Sequence, residues 1–185
     1  MSAPLRVLGF AGSLRTDSYN RALLRAAQEL APEDVQVELF DLAQIPLYNA
    51  DIDTDAERPE PVSRFKAAIA ETDALLIATP EYNHNVSGVL QNAIDWASRP
   101  AFQSPLVGKP VGIMGAARGG IGTARAQEIL KPVLLAVLAH VFPHRGVLVS
   151  RAAEKFEDGK LVDEATRDFL ADYLVQFVAF AERFR

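Results

Sequence analysis

The sequence predicts an α/β fold, with a parallel β-sheet covered on both faces by helices. Apolar runs that suit buried strands alternate with segments of helical apolar spacing, in the order strand then helix, five times over. Because parallel strands need long crossover connections, usually helical, this alternation favours a parallel sheet over a hairpin-connected one.

The first strand and helix are followed by a second strand and a long irregular segment. Residues 5–10 form a short apolar run, residues 20–30 a helix rich in Ala and Leu, and residues 35–40 an alternating strand, VQVELF. Residues 41–61 are polar and irregular. Loops of that length in compact domains are usually functional or mobile, although a plain connection is the alternative.

The rest of the chain repeats the alternation. The last predicted strand, residues 141–150, is interrupted by Pro143 and Gly146, residues that weaken strand pairing. Before it, a helix is predicted at 61–72 and a strand at 74–78. The next helix begins after Ser87 and carries the apolar residues Val89, Leu90, Ala93, Ile94 and Trp96. A strand at 109–115, a helix at 123–138 and an amphipathic helix at 164–185 are also predicted.

Length, charge and composition narrow the class of protein. The 185 residues predict a single domain, residues 1–185, and the absence of cysteine excludes disulfides and thiolate catalysis. The net charge is −5 and the basic residues are scattered, so no nucleic-acid partner is expected. No segment reaches the apolar length of a membrane span, and a cytoplasmic protein is the expectation.

The loop after the first strand has the character of an anion site. It reads GSLRTDSYNRAL at residues 12–23 and leads into a helix, whose N-terminus offers unpaired N–H groups. Side chains that could bind a phosphate beside these groups are Ser13, Arg15, Ser18 and Asn20. The alternative is that Ser18 only caps the helix and Arg15 is solvated.

Two nucleotide-binding motifs are missing from this loop. It contains neither GxGxxG, the dinucleotide fingerprint, nor GxxxxGK[ST], the loop of nucleoside triphosphatases. Asp41 ends the second strand, where dinucleotide folds place a ribose-binding acid, but without the glycines it is interpreted as a turn residue. A phosphate site of this kind favours a mononucleotide.

A second polar stretch follows the strand at 74–78, where open α/β sheets bind ligands. It reads ATPEYNHNVSGVLQNAIDWASRP at residues 78–100. Pro80 stiffens the turn, Tyr82 offers a stacking face, and Asn83 can pair with carbonyls and ring nitrogens. These residues suit a flat aromatic ligand with polar edges.

Three motifs together resemble the NADPH-dependent FMN reductase family, flavodoxin-like enzymes that include bacterial quinone, azo-dye and chromate reductases. They are GSLRTDSYNRAL at 12–23, PEYNHNVSGVLQNAIDW at 80–96 and GKPVGIMGAARGGIGTARAQ at 108–127. The resemblance implies a five-stranded sheet of order 2-1-3-4-5, a homodimer or homotetramer, and a flavin site. The FMN phosphate would be held by Ser13, Arg15, Ser18 and Asn20, and the ring framed by Pro80, Glu81, Tyr82, Asn83, Gly115, Ala116, Ala117, Arg118 and Gly119.

The resemblance also implies an activity, an NAD(P)H-dependent FMN reductase or quinone reductase. Hydride would pass from NADPH or NADH to FMN, and two electrons then to a small acceptor such as a quinone, azo dye, chromate or free flavin. No catalytic side chain is expected, and the kinetics should be ping-pong. The alternatives are a flavodoxin-type FMN electron carrier and a non-enzymatic module on the same fold.

Three departures from the family pattern accompany the resemblance. Ser87 stands where a proline is common, Gln91 replaces a lysine, and the third motif has Ala117 and Arg118 where Ser and a small or apolar residue are usual. The hypothesis is that Arg118 supplies some of the charge lost at Gln91. The PLYNAD segment at residues 46–51 matches a loop that frames the site in the family.

The three histidines and Trp96 are weaker candidates for functional residues. His140 and His144 have a four-residue spacing, but Pro143 breaks a helical ligand pair, so no metal site is expected. His84 is expected at the surface beside the flavin loop. Trp96 shares the apolar face of its helix and is expected in the core or at a dimer interface.

Overall fold

Six parallel strands form the central sheet of the computed structural model, which describes residues 3–185. The strand order is β2-β1-β3-β4-β5, and β6 also pairs with β4. This confirms the predicted sheet of order 2-1-3-4-5. The strands are β1 (Leu5–Ala11), β2 (Val35–Phe40), β3 (Ala74–Ala78), β4 (Pro110–Ala116), β5 (His140–Val141) and β6 (Val147–Val149).

Within residues 3–185, five α-helices cover the two faces of this sheet. One hydrophobic cluster packs α1 and α5 on one face, and a second packs α2, α3 and α4 on the other. All side chains of β3 are fully buried between the two layers, as the apolar run predicts. The helices are α1 (Tyr19–Leu30), α2 (Glu60–Glu71), α3 (Gly88–Ala97), α4 (Ala124–Ala136) and α5 (Glu164–Ala181).

The predicted fifth strand is split into β5 and β6, which together occupy one edge of the sheet. Ile113 of β4 pairs with Ile77 of β3 on one side, but on the other side it falls between β5 and β6 and pairs with neither, and the buried Tyr173 hydroxyl of α5 takes that place. That hydroxyl accepts a hydrogen bond from the Ile113 N–H at 2.8 Å and donates one to the Ile113 carbonyl at 3.1 Å. Burial raises the pKa of Tyr173 well above its usual value, so the hydroxyl keeps its proton.

Gly112 provides the space for this side chain. A Cβ atom at position 112 would lie 2.9 Å from the Tyr173 hydroxyl oxygen and 3.2 Å from Phe177. The tyrosine therefore reaches the interrupted strand pairing only because its neighbour in β4 has no side chain.

The long segment at 41–61 is more ordered than the sequence indicates. It contains two 3₁₀ turns, Leu42–Gln44 and Ala50–Ile52, and its centre is hydrogen-bonded to α3. The Pro46 carbonyl accepts hydrogen bonds from the Asn92 amide and from the Trp96 indole N–H, both at 2.8 Å. Trp96 is fully buried and belongs to the core.

One pair of short strands was also not predicted. A short antiparallel hairpin, β7 (Phe156–Glu157) and β8 (Lys160–Leu161), lies between β6 and α5 in the chain. Its apolar residues Phe156 and Leu161 join the cluster beneath α1. Across residues 3–185, none of the helices has the length and apolar character needed to cross a membrane.

Candidate functional site

A cleft of about 330 Å³ opens at the carboxyl edge of the sheet, where the loops after β1, β3 and β4 meet. Ten of the thirteen predicted site residues line it: Ser13, Arg15, Ser18, Asn20, Pro80, Glu81, Tyr82, Ala116, Ala117 and Arg118. Asn83, Gly115 and Gly119 do not. Tyr19 also lines the cleft, although it was not predicted to, because it stands directly before the predicted helix at 20–30 and carries no charge.

The end of the cleft beside α1 presents a set of free hydrogen-bond donors. The Ser18 side chain caps α1 by accepting a hydrogen bond from the Arg21 N–H at 3.4 Å. Among residues 3–185, no backbone acceptor is found for the N–H groups of 13–15 or of Tyr19 and Asn20. Because a helix N-terminus also carries a partial positive charge, this end of the cleft fits a phosphate.

Two arginines add charge at the same end of the cleft. The guanidinium carbons of Arg15 and Arg118 lie 5.5 Å and 5.9 Å from the centre of the Tyr19 ring. Both side chains are exposed, and within residues 3–185 neither has an ion-pair partner. Tyr19 thus holds two unneutralised cations close to the free N–H groups.

The Asn20 side chain has a structural role. Its amide nitrogen donates to the Ala116 carbonyl at 3.0 Å, and its amide oxygen accepts from the Ala116 N–H at 2.9 Å. The side chain is buried and joins the loop after β1 to the end of β4. Only its second amide proton is left for a ligand.

Glu81 lies beside the cleft but binds the N-terminus of α4. Its carboxylate accepts hydrogen bonds from the Arg125 N–H at 3.0 Å and the Ala126 N–H at 3.2 Å, and it lies 3.5 Å from both the Arg125 guanidinium and the His84 ring. Burial raises the pKa of Glu81, but hydrogen bonds from the Ala126 N–H, the His84 ring and the Arg125 N–H, together with the Arg125 charge, outweigh it and hold the pKa below its usual value.

Tyr82 is presented by a tight turn. The Tyr82 and Asn85 backbones exchange hydrogen bonds of 3.2 Å and 3.0 Å, and the two residues between them, Asn83 and His84, have φ of 52° and 63°. Two central residues with positive φ define a type I′ turn, in which asparagine is favoured. Asn83 is therefore explained by the backbone, and the exposed Tyr82 ring is free for stacking.

The third loop supplies backbone groups. Gly115 lies beneath the cleft, where a Cβ atom would come within 2.0 Å of the Thr123 hydroxyl oxygen. The N–H groups of Ala116 and Ala117 bind Asn20 and the Val149 carbonyl. In the described part of the chain, no protein acceptor is found for the N–H groups of residues 118 and 119, which leaves them for a ligand.

The departures at Ser87 and Gln91 have structural roles. Ser87 caps α3 by accepting from the Leu90 N–H at 3.2 Å, and its hydroxyl donates to the Gly12 carbonyl at 2.7 Å. It thereby joins the loops after β1 and β3. Gln91 donates to Asp95 one turn along α3 at 2.9 Å.

His140, directly before the predicted fifth strand, and His144, within it, pack against aromatic rings. His140 stacks on Phe184 with ring centres 4.2 Å apart, and His144 lies parallel to Phe142 at 5.4 Å. Within residues 3–185, no three His, Asp or Glu side chains converge in a way that could hold a metal ion.

Comparison with known proteins decides the family of the chain. A family model described as NADPH-dependent FMN reductase matches residues 5–154. The chain belongs to that family. It is an NAD(P)H-dependent flavoprotein oxidoreductase that uses FMN, which confirms the predicted enzyme class and cofactors.

Individual relatives agree over the whole length of the chain. It is 44% identical to an NAD(P)H-dependent FMN reductase of Pseudomonas aeruginosa, with 100% of both chains covered. It is 42% identical to 2-hydroxy-1,4-benzoquinone reductase of Burkholderia sp, with 95% of each covered. Among solved structures, the flavoenzyme NAD(P)H:(acceptor) oxidoreductase FerB from Paracoccus denitrificans has a TM-score of 0.88 at 38% identity, over 97% of this chain and 98% of that one.

Proposed function

We propose that the FMN reductase of residues 1–185 is one FMN-binding domain that passes two electrons from NAD(P)H to quinones through the cleft at the carboxyl edge of the sheet. The observation that carries the proposal is the concentration of free donors at one end of a single open cleft. Backbone N–H groups of 13–15, the Ser13 and Ser18 hydroxyls and the Arg15 guanidinium would hold the FMN phosphate.

The flavin ring would occupy the remainder of the cleft. Pro80 and Tyr82 would border one side, and residues 116–118 the other. Bound FMN supplies the redox chemistry, by accepting a hydride from the nicotinamide and giving up two electrons to the acceptor. The free N–H groups of residues 118 and 119 are available to stabilise negative charge, and no side-chain acid or base is required.

The cleft would serve the reductant and the acceptor in turn. Because it is a single opening, oxidised nicotinamide must leave before a quinone can enter, and ping-pong kinetics follow. Relatives named quinone reductase in Pseudomonas putida and Escherichia coli, each 37% identical, support a quinone as the acceptor. The exposed Tyr82 ring at the rim would offer a planar acceptor a stacking surface.

Anaerobic spectroscopy tests this function. The purified protein is supplied with FMN and dialysed, then treated with NADPH or NADH and finally with a benzoquinone. Retention of flavin, bleaching by the nicotinamide and recolouring by the quinone are the expected results. Retention without bleaching by either nicotinamide would identify an electron carrier, and loss of the flavin on dialysis would refute the proposed site.

We also propose a homodimer or homotetramer in the cytoplasm, where NAD(P)H is produced. Two large apolar side chains beside α3 are unusually exposed. Leu47 lies in the segment bonded to α3 and is 84% exposed, and Phe102, shortly after the end of α3, is 76% exposed. Side chains of this size favour burial against a second copy of the chain.

A further inference from the structure

The charges that line the cleft at the carboxyl edge of the sheet do not balance one another. Among residues 3–185, its charged lining residues are Arg15, Arg118 and Glu81. The Glu81 carboxylate is already bound by two N–H groups of α4 and lies 3.5 Å from the Arg125 guanidinium. Since the two cleft arginines have no ion-pair partner in the described chain, a bound ligand is the anion available to neutralise them.

Tyr19 brings both guanidinium groups to the end of the cleft beside α1. Its ring centre lies 5.5 Å from the guanidinium carbon of Arg15 and 5.9 Å from that of Arg118. Tyr19 is the first residue of α1, so its ring stands beside the free N–H groups that suit a phosphate. On the hairpin, Phe156 packs against the same ring with centres 5.3 Å apart. The cation–π contact with this supported ring favours a position of Arg118 near the phosphate.

The backbone that carries Arg118 is fixed on both sides of this residue. Before it, the Ala117 N–H donates to the Val149 carbonyl at 3.0 Å, and after it the Gly119 carbonyl accepts from the Arg151 N–H at 3.0 Å. Because the backbone is ordered before a ligand binds, only the freedom of the Arg118 side chain is lost on binding.

We propose that Arg118 binds the FMN phosphate together with Arg15 and makes the site selective for a phosphorylated flavin. FMN carries a phosphomonoester and riboflavin does not, and each guanidinium can donate two N–H bonds to phosphate oxygens. The inference rests on the proposed FMN site. It moves the Arg118 side chain from the flavin ring, where the family resemblance places it, to the phosphate, while the backbone of 116–118 still borders the ring.

This assignment competes with the hypothesis that Arg118 supplies charge lost at Gln91. Gln91 lies on α3, donates to Asp95 at 2.9 Å, and is not among the residues that line the cleft. The Arg118 guanidinium lies instead beside Tyr19. The two assignments differ in the ligand that Arg118 serves, which is FMN in one and the nicotinamide nucleotide in the other.

Flavin titrations of the full-length chain, freed of FMN, test the proposal. Quenching of flavin fluorescence gives the Kd of FMN and of riboflavin separately. Arg118→Ala should raise the Kd for FMN by roughly tenfold, the loss of one charge-assisted contact, and leave that for riboflavin unchanged. Arg118→Lys keeps the charge without the planar fork and should recover part of the loss.

Arg151→Ala is the matched control for these titrations. Its exposed side chain lies outside the cleft, 3.8 Å from the Glu154 carboxylate, and its backbone N–H is kept in the variant. Neither Kd should change.

Tyr19→Leu tests the support given to the two arginines. Loss of the ring should raise the Kd for FMN by roughly threefold, as expected for exposed cation–π contacts. Arg118→Ala should then cost less in the Tyr19→Leu background than in the wild type, because the two changes remove parts of one arrangement. A full tenfold cost in both backgrounds would refute the role given to the Tyr19 ring.

Equal losses of FMN and riboflavin affinity in Arg118→Ala would overturn the proposal, because they would place the effect on the fold or the flavin ring. An unchanged Kd for FMN with a raised KM for NADPH would overturn it in favour of the Gln91 hypothesis. The wild-type protein separates these results from failure of the proposed function. If it binds FMN and bleaches with NADPH or NADH, either result rejects only the role of Arg118; if it binds neither flavin, both proposals are rejected.

Discussion

Asn20 is a polar residue of the loop after β1, at residues 12–23, and its two side-chain hydrogen bonds join it to Ala116. Asn20→Ala leaves the Ala116 N–H and carbonyl buried without partners, which costs about 1–3 kcal/mol. We expect that loss in the free energy of unfolding of the FMN-free protein, measured in urea, together with weaker FMN binding. Gln176→Ala on the exposed side of α5 should change neither. Weaker FMN binding at unchanged stability would show that Asn20 acts on the phosphate directly.

The residues predicted for this site fall into two groups: those that line the cleft, and those whose groups are already used in structural contacts. Ser13, Ser18 and Arg15 were predicted from side-chain chemistry, and they do converge on one cleft. Glu81 and Asn83 were predicted from the motif at 80–96, but Glu81 binds the N-terminus of α4 and Asn83 forms a turn. The sequence could not separate these roles, because they depend on contacts with residues more than 40 positions away or on a single φ angle.

Helix α4 depends on the charge of Glu81 at its N-terminus. Because the pKa of this carboxyl is lowered in the folded state, its stabilisation is complete above the ordinary value of 4.5 and is lost as the pH falls through the lower, folded value. Glu81→Gln should cost about 0.5–2 kcal/mol at pH 7 and flatten the loss of stability below pH ~5. Thermal unfolding across pH 3–7 measures both effects.

Glu128→Gln provides the control for that comparison, since Glu128 is an exposed acid in the same helix. It should leave the pH profile of unfolding unchanged. A profile for Glu81→Gln that parallels the wild-type one would contradict the assigned role of this carboxylate.

Strand β4 has its own point of weakness at Ile113, where the Tyr173 hydroxyl replaces a strand partner on the side that faces β5 and β6. Tyr173→Phe should lower the free energy of unfolding by about 1–3 kcal/mol, because both backbone groups of Ile113 become buried and unpaired. Chemical denaturation gives the value. Tyr48→Phe is the matched control, because in the described chain the Tyr48 hydroxyl makes no hydrogen bond. A null result for Tyr173→Phe would mean that water reaches the gap.

The sheet order and its covering helices could be predicted because they follow from the alternation of strands and helices and from motifs that the chain shares with its family. The split of the last strand was visible only as Pro143 and Gly146, and its repair by Tyr173 was not visible at all. That contact joins residues 60 positions apart and needs Gly112 opposite. The hairpin β7–β8 was missed because strands of two residues have no detectable periodicity.

At the scale of the whole molecule, the surface beside α3 is the proposed contact between two copies of the chain. If α3 and its flanking segments form the dimer contact, Leu47→Asp and Phe102→Asp should each weaken it, because a carboxylate would be buried in an apolar contact. Sedimentation velocity over a range of protein concentrations should then show dissociation toward monomer. Val175→Asp provides the control, since Val175 is 58% exposed on α5, away from this surface. An assembly that survives both substitutions but is lost in Val175→Asp would place the contact on α5 instead.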